Sequence, residues 1–283
     1  MTASQIAALP WGFWWTQVRA IVRIELKKSF LNRRSWWIYP AALAPVMLTA
    51  GHSIATLYIG RMSHSLANDV RIFAGIFQLG YLRVFLFFGC ALLFTNLVRG
   101  EVLNKTLHYY LLAPVRREVF AAAKYLAGLA AALTLYVASV SLAHVTCFMH
   151  FGPQFEEFYL RGPGLGHLGA YAGVTALACI GYGAVFTFMG LLFKNPMLPA
   201  AVVMVWEGIN VFLPPLLKKF SVIFYLNSLC PVPMAESGPL AMFMQEADPV
   251  PAYLAVPGLL LLALAAMVYA GLRIRTFEIS YTE

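Results

Sequence analysis

Charged residues are scarce in this chain of 283 residues: 11% of the total, against 61% hydrophobic. Soluble domains carry about 25% charged and about 45–50% apolar residues, so a single soluble globular domain is excluded. Acidic groups are the scarcest. There are twelve, and only Asp69 and Asp248 are aspartates, both outside the long apolar runs. That leaves no aspartate pair for hydrolysis inside a membrane. No GxxxxGKS/T phosphate loop is present, so the chain is expected to hydrolyse no nucleotide itself. No HExxH occurs, and the six histidines are dispersed without metal-ligand spacing. The four cysteines, Cys90, Cys147, Cys179 and Cys230, form no CxxC pair. The reading is therefore of no enzyme, no catalytic residue and no metal.

Long apolar runs are what the sequence has instead. A bilayer core of about 30 Å needs about 20 apolar residues per helix. Runs of that size recur at 36–58, 75–98, 119–146, 168–193, 197–217 and 252–272. They predict an all-α integral membrane protein of six transmembrane helices, and they are too continuous for the alternating strands of a barrel. The chain reads as one domain over 1–283: a cytoplasmic amphipathic helix within 1–34, six spans within 36–272, and a tail over 273–283. The first run is too long for a signal-peptide core and lacks a cleavage site, so it is expected to be retained. Between the fifth and sixth spans, the apolar pieces 220–230 and 238–244 are too short to cross and suit re-entrant or interfacial helices.

Lysine and arginine set the orientation. With the N-terminus inside, fourteen of them fall in inner segments and five in outer ones (Arg61, Arg71, Arg161, Lys218 and Lys219). This positive-inside bias places both termini in the cytoplasm. The net charge of +8 then reflects membrane topology, and no hydrophilic basic domain exists to bind nucleic acid.

A few polar residues fall within spans. Arg83 and Glu207 are charged groups in apolar runs, which are expensive there and often functional. Glu207 reads either as facing a pathway or Arg83, or as protonated or bonded to a neighbouring helix. His52 lies deep in the first span, where an interhelical hydrogen bond is the ordinary role. Cys147 and Cys230 both fall near the outer face, and a disulfide between them is left open, since sequence does not give their separation.

The N-terminal helix carries Arg19, Arg23 and Lys27 at i, i+4 and i+8, with Trp14, Trp15, Val18, Ile21, Val22 and Leu26 on an adjoining arc that Glu25 interrupts. Such a helix lies in the membrane interface. The segment 99–124, RGEVLNKTLHYYLLAPVRREVFAAAK, falls on the inner side between spans two and three. Thr106–Leu112 predicts a short helix ended by Pro114.

That segment resembles the permease subunits of ABC-2 type ABC transporters: an acidic residue, Thr-Leu, paired leucines, Pro-Val, a basic residue, then Lys. Here these are Glu101, Thr106-Leu107, Leu111-Leu112, Pro114-Val115, Arg117 and Lys124. The N-terminal helix, with Arg19, Arg23, Glu25, Lys27 and Arg33-Arg34, is similar to the family's connecting helix. Lys105 stands where the family often has Gly, and His108-Tyr109-Tyr110 replaces a commonly acidic stretch. The resemblance implies a permease, as an exporter in the cytoplasmic membrane of a bacterial or archaeal-type cell. It implies a second permease chain, identical or related, surrounding lipid, and two copies of a separate ABC ATPase subunit that holds ATP and Mg; this chain carries no cofactor. It also implies a coupling helix seated on the ATPase, with Glu101, Thr106, Leu107, Tyr109, Tyr110, Leu111, Leu112, Pro114 and Arg117. Glu101 is expected either to contact the ATPase or to brace the connecting helix through Arg23 or Arg19. The competing readings are a membrane anchor or force-transmitting subunit of a larger complex, and a gradient-driven transporter, which would call for paired intramembrane carboxylates and inverted repeats.

Overall fold

The computed structural model describes residues 10–31, 36, 38–59, 65–104, 106–112, 114–233 and 248–275. Every regular element among them is helical. Helix α1 is Trp11–Leu31 and α2 is Ile38–Ile59. Helix α3 is Leu66–Leu103, with an internal π-helical stretch Ile76–Leu86. Next come α4, Leu107–Leu112, and α5, Arg117–Phe148, which ends in a 3-10 turn over Met149–Phe151. They are followed by α6 (Pro153–Leu160), α7 (Gly164–Leu192), α8 (Met197–Ile209), α9 (Pro215–Lys218), α10 (Val222–Ser228) and α11 (Ala252–Arg275). Five of these, α2, α3, α5, α7 and α11, are long and apolar enough to cross a membrane.

Helices α3, α5 and α7 form the centre. Their contact is aromatic: Phe77 meets Tyr171 with ring centroids 4.6 Å apart, and Phe87 meets Phe186 at 5.1 Å. Small residues let the backbones close in. A Cβ at Gly128 or Gly183 would fall within 3 Å of the Phe94 ring, and one at Gly89 would collide with the Tyr136 hydroxyl. Helix α2 runs along α5 through hydroxyl bonds: Ser139 donates to the carbonyl of Ala42, and Thr49 and Thr146 share a bond of 2.8 Å. The π-helical stretch carries i→i+5 bonding and turns Phe77, Gln78, Tyr81, Leu82 and Leu86 into the core.

Two sequence expectations change here. The predicted fifth span, 197–217, is not one continuous helix. Helix α8 stops at Ile209 after 13 residues, about 20 Å, in a 3-10 turn over Asn210–Phe212. Pro214 and Pro215 remove two successive backbone donors just beyond it. The chain then continues in α9 and α10. Arg83 of α3 bonds carbonyls at the end of α8, and Gln78, one turn nearer the start of α3, bonds Val232 O at 2.8 Å just after α10. The route from 197 to 232 thus climbs α3 in separate helical pieces, α8 and α10 with the single turn α9 between them. Because α7 and α11 both end beside Ala121 and Ala123 (Leu191 from one, Ala270 and Ile274 from the other), the chain between them has to return. The short piece at 220–230 contains the helix α10; the piece 238–244 lies outside the described residues.

The second change concerns Asp69. Sequence sets it in a polar loop with Arg61, His64, Asn68 and Arg71. Instead, Asn68, Asp69 and Arg71 belong to the first turns of α3, capped by Ser65, whose hydroxyl accepts from Asn68 N at 3.3 Å. Asp69 is completely buried. Arg61 and His64 lie outside the described residues, as do Arg33, Arg34, Lys105 and 276–283. Helix α6 was not anticipated: Gly152, at φ +57°, turns the chain, and Pro153 opens the helix in its first turn.

Candidate functional site

One end of the bundle carries the basic residues Arg99, Arg116, Arg117, Lys124, Arg273 and Arg275. There the end of α3, the short α4, the start of α5 and the middle of α1 converge. Helix α1 presents Ile21, Glu25 and Ser29, one residue per turn, to the protein. Ile21 packs with Phe120 and Ala121 of α5, and Glu25, 3% exposed, lands beside Lys124, which is fully buried.

Four charges and a phenol close into one network. Lys124 Nζ lies 2.9 Å from Glu25 Oε1 and 2.9 Å from Glu101 Oε1. Lys28 Nζ lies 3.1 Å from Glu25 Oε1 and 2.8 Å from Glu101 Oε1. It also bonds Tyr110 OH at 3.2 Å, and that hydroxyl donates to Glu25 Oε1 at 3.3 Å. Thr106 donates its hydroxyl to the other oxygen of Glu101 and its amide to the Glu101 carbonyl at 2.9 Å. The Tyr110 ring sits under both ammonium groups, 5.0 Å from Lys124 and 5.5 Å from Lys28. Two carboxylates and two ammoniums cancel, which is the condition for burying charge at all. Burial pulls the Lys28 ammonium down, but its bonds to Glu101 and Tyr110 and the charges of Glu25 and Glu101 outweigh that and hold it above an ordinary lysine. Burial pushes the Tyr110 phenol up, against the opposing bond from Lys28.

Glu101 meets α1 at Lys28 and not at Arg23 or Arg19. Arg19, Arg23 and Lys27 are exposed on the other side of α1. Further ties join α1 to the segment after α4: Gln17 Nε2 donates to Pro114 O at 2.9 Å, and Arg116 lies over the Trp14 ring at 5.0 Å. Of the predicted coupling residues, Leu107 is buried in the core of this end and Leu112 is 81% exposed. Tyr109 and Leu111 lie on α4 between them. Arg117 faces α11, donating to the carbonyl of Arg275 at 2.8 Å, while Arg275 pairs with Glu118 at 2.6 Å. A cleft of about 780 Å³ opens beside the network, lined by Glu25, Lys28, Glu101, Ile38, Leu93 and Asn96 among others.

The other predicted residues are held elsewhere. Arg83 donates to the carbonyls of Glu207 (3.4 Å) and Gly208 (3.1 Å) and does not meet the Glu207 carboxylate. That carboxylate accepts from Ser221 Oγ at 2.7 Å, Val222 N at 3.0 Å and Ile223 N at 2.9 Å, capping the start of α10. His52 pairs with Asp69 (3.2 Å), which also faces His150 (3.4 Å), joining α2, α3 and the end of α5 at the far end of the bundle. Cys147 and Cys230 are free thiols, and the Cys230 thiol bonds Leu226 O at 3.5 Å. Among the described residues, no three His, Cys, Asp or Glu are arranged to hold a metal ion.

Sequence reasoning gave no role to Lys28, Ser221 or His150, and read Lys124 only as part of a motif. For Lys28 and Lys124 a signal existed: Glu25 and Lys28 are three apart on one helix, and Lys124 is the one Lys, Arg, Asp or Glu of α5 beyond its first turn. The profile of the family described as ABC-2 family transporter protein matches residues 21–210, from the middle of α1 to the end of α8. No curated protein matches the chain.

Proposed function

The chain belongs to the ABC-2 family of transporter proteins and is a membrane-embedded permease subunit of an ABC transporter; from that premise we propose that it forms the pathway of an ATP-driven exporter as a dimer, driven by two separate ATPase subunits docked at its basic end. ATP and Mg belong to those subunits, and this chain hydrolyses nothing. The basic end faces the cytoplasm, in line with the positive-inside bias, so both termini are cytoplasmic and the membrane is the cytoplasmic one. The two-piece route through α8 and α10 makes the sixth crossing, with irregular backbone tolerated because Glu207 and Arg83 satisfy it.

One observation carries the coupling: α4 is exposed at Leu112 but fastened at Tyr110 and Thr106 to the network that joins α1, α3 and α5. An exposed leucine on a short helix of this kind suits a partner's groove. When nucleotide binding closes the ATPase dimer, the displacement of α4 reaches Glu25 and Glu101 together. Helix α1 leads into α2, and Glu101 ends α3, so one push at α4 moves the inner ends of two spans. Tyr110 therefore transmits, and the docking face is the Leu112 side.

The test is co-purification from the native membrane in mild detergent. A stoichiometric ATPase should accompany the tagged chain and be released by Leu112→Glu, while Leu112→Met retains it. A chain that purifies alone, or with a large assembly lacking an ATPase, would overturn the proposal.

A further inference from the structure

Helix α1 has two faces. One is joined to the coupling network through Glu25 and Lys28. The opposite face carries Arg19, Arg23 and Lys27, all exposed and four residues apart. Beside this basic row runs an apolar one, Phe13, Ala20, Ile24 and Leu31, also exposed, at spacings of seven, four and seven. The only acidic residue of α1 is Glu25, which is buried on the far side. The outward face is thus uniformly cationic along one edge and apolar along the next. Arg19 also stacks over the exposed Trp15 ring at 5.2 Å.

We propose that this face binds anionic phospholipid headgroups of the inner leaflet, and that the charge of the leaflet sets the position of α1 and so of the coupling network. The apolar row enters the acyl boundary while the three cations meet phosphates, as an interfacial amphipathic helix does. Each cation near an anionic surface strengthens the attraction about fivefold. Charge complementarity favours a lipid surface over a protein groove, since the row is continuous, unpaired by any acid on its own helix, and edged by side chains suited to hydrocarbon. The inference rests on the basic end facing the inner leaflet, but its first readout needs no ATPase.

The purified chain is placed in nanodiscs of phosphatidylcholine with or without phosphatidylglycerol, and the lipids retained after detergent release are counted by native mass spectrometry. Wild type should retain phosphatidylglycerol over phosphatidylcholine. Replacing Arg19→Gln, Arg23→Gln and Lys27→Gln together should reduce that preference by about a hundredfold. Arg19→Lys with Arg23→Lys should keep it, and Arg71→Gln with Arg161→Gln, at the opposite end, should leave it unchanged. Raising salt from about 0.05 M to about 0.5 M should weaken it. In the reconstituted complex, phosphatidylglycerol should change ATPase activity several-fold in wild type and not in the triple variant. An unchanged lipid preference in the triple variant would overturn the proposal, and so would release of the ATPase by that variant with lipid retention intact, which would make the face a protein surface.

Discussion

Two regions of this permease bury charge, and they use it differently. At the basic end, Glu25, Lys28, Glu101 and Lys124 bond to one another, side chain to side chain, across three helices. Beside the break between α8 and α10, Glu207 and Arg83 bond to backbone: a carboxylate on the amides of Val222 and Ile223, a guanidinium on the carbonyls of Glu207 and Gly208. The first arrangement ties three helices to one another through side chains alone. The second replaces hydrogen bonds that a broken helix lacks. Charge inside a membrane protein is therefore no single signal: what the charged atom touches decides between transmission and support.

The largest effect that separates the two is expected at Lys124. Lys124→Met leaves Glu25 and Glu101 buried with only the half-exposed Lys28 between them, and removing one partner of a buried pair costs about 3–5 kcal/mol. The melting temperature in detergent should fall steeply. Adding Glu25→Gln and Glu101→Gln should recover much of it, because the uncompensated charge is then gone. A fall that the added changes deepen would mean that the network holds the fold chiefly by packing.

Glu207→Ala comes next. It strips the start of α10 of a charged acceptor, where such bonds are worth about 1.5–3 kcal/mol. The loss should be local: faster hydrogen exchange at Val222 and Ile223, with ATPase coupling little changed in the folded fraction. Ser221→Ala should produce a weaker version. If Glu207→Ala uncoupled ATPase from transport while α10 stayed protected, the distinction between support and transmission would fail.

How much of this was legible beforehand follows the same division. Long apolar runs fix helices in a membrane, since nothing else satisfies the backbone there, and so α2, α5, α7 and α11 lie close to their predicted bounds. The run at 197–217 misled because hydropathy does not register a broken backbone: Asn210, Pro214 and Pro215 interrupt the helix without making the segment polar. Asp69 misled in the opposite sense. A carboxylate looks like a loop residue until His52 and His150, 17 residues before it and 81 after, are brought to it by folding. At the basic end, the motif singled out both Glu101 and Thr106 but not the bond between them, though only five residues separate the two. Lys28, the partner of Glu101 on α1, is 73 residues away from it, and a single sequence does not announce pairs at that distance.

Lys28→Met should have the smaller effect on stability, below about 1 kcal/mol, since the side chain is 44% exposed and such pairs are weak. Its effect on coupling should be larger, as Lys28 joins α1 to Tyr110 of α4, and the ratio of stimulated to basal ATPase should drop while the melting temperature barely moves.

The smallest effect is a flat one, and it tests the cause of that drop. In the unfolded chain this ammonium titrates near 10.5, and in the folded one it is held higher. A raised value means that its contribution is complete below about 10.5 and is lost only as pH climbs through the folded value. The Tyr110 phenol, also held up, loses its proton later than a free tyrosine and adds loss in the same alkaline direction. The ratio between wild-type and Lys28→Met coupling should then stay constant from about pH 6 to about pH 9. A ratio that shifts near neutrality would show that an imidazole, the side chain that ordinarily changes charge there, reaches the coupling network.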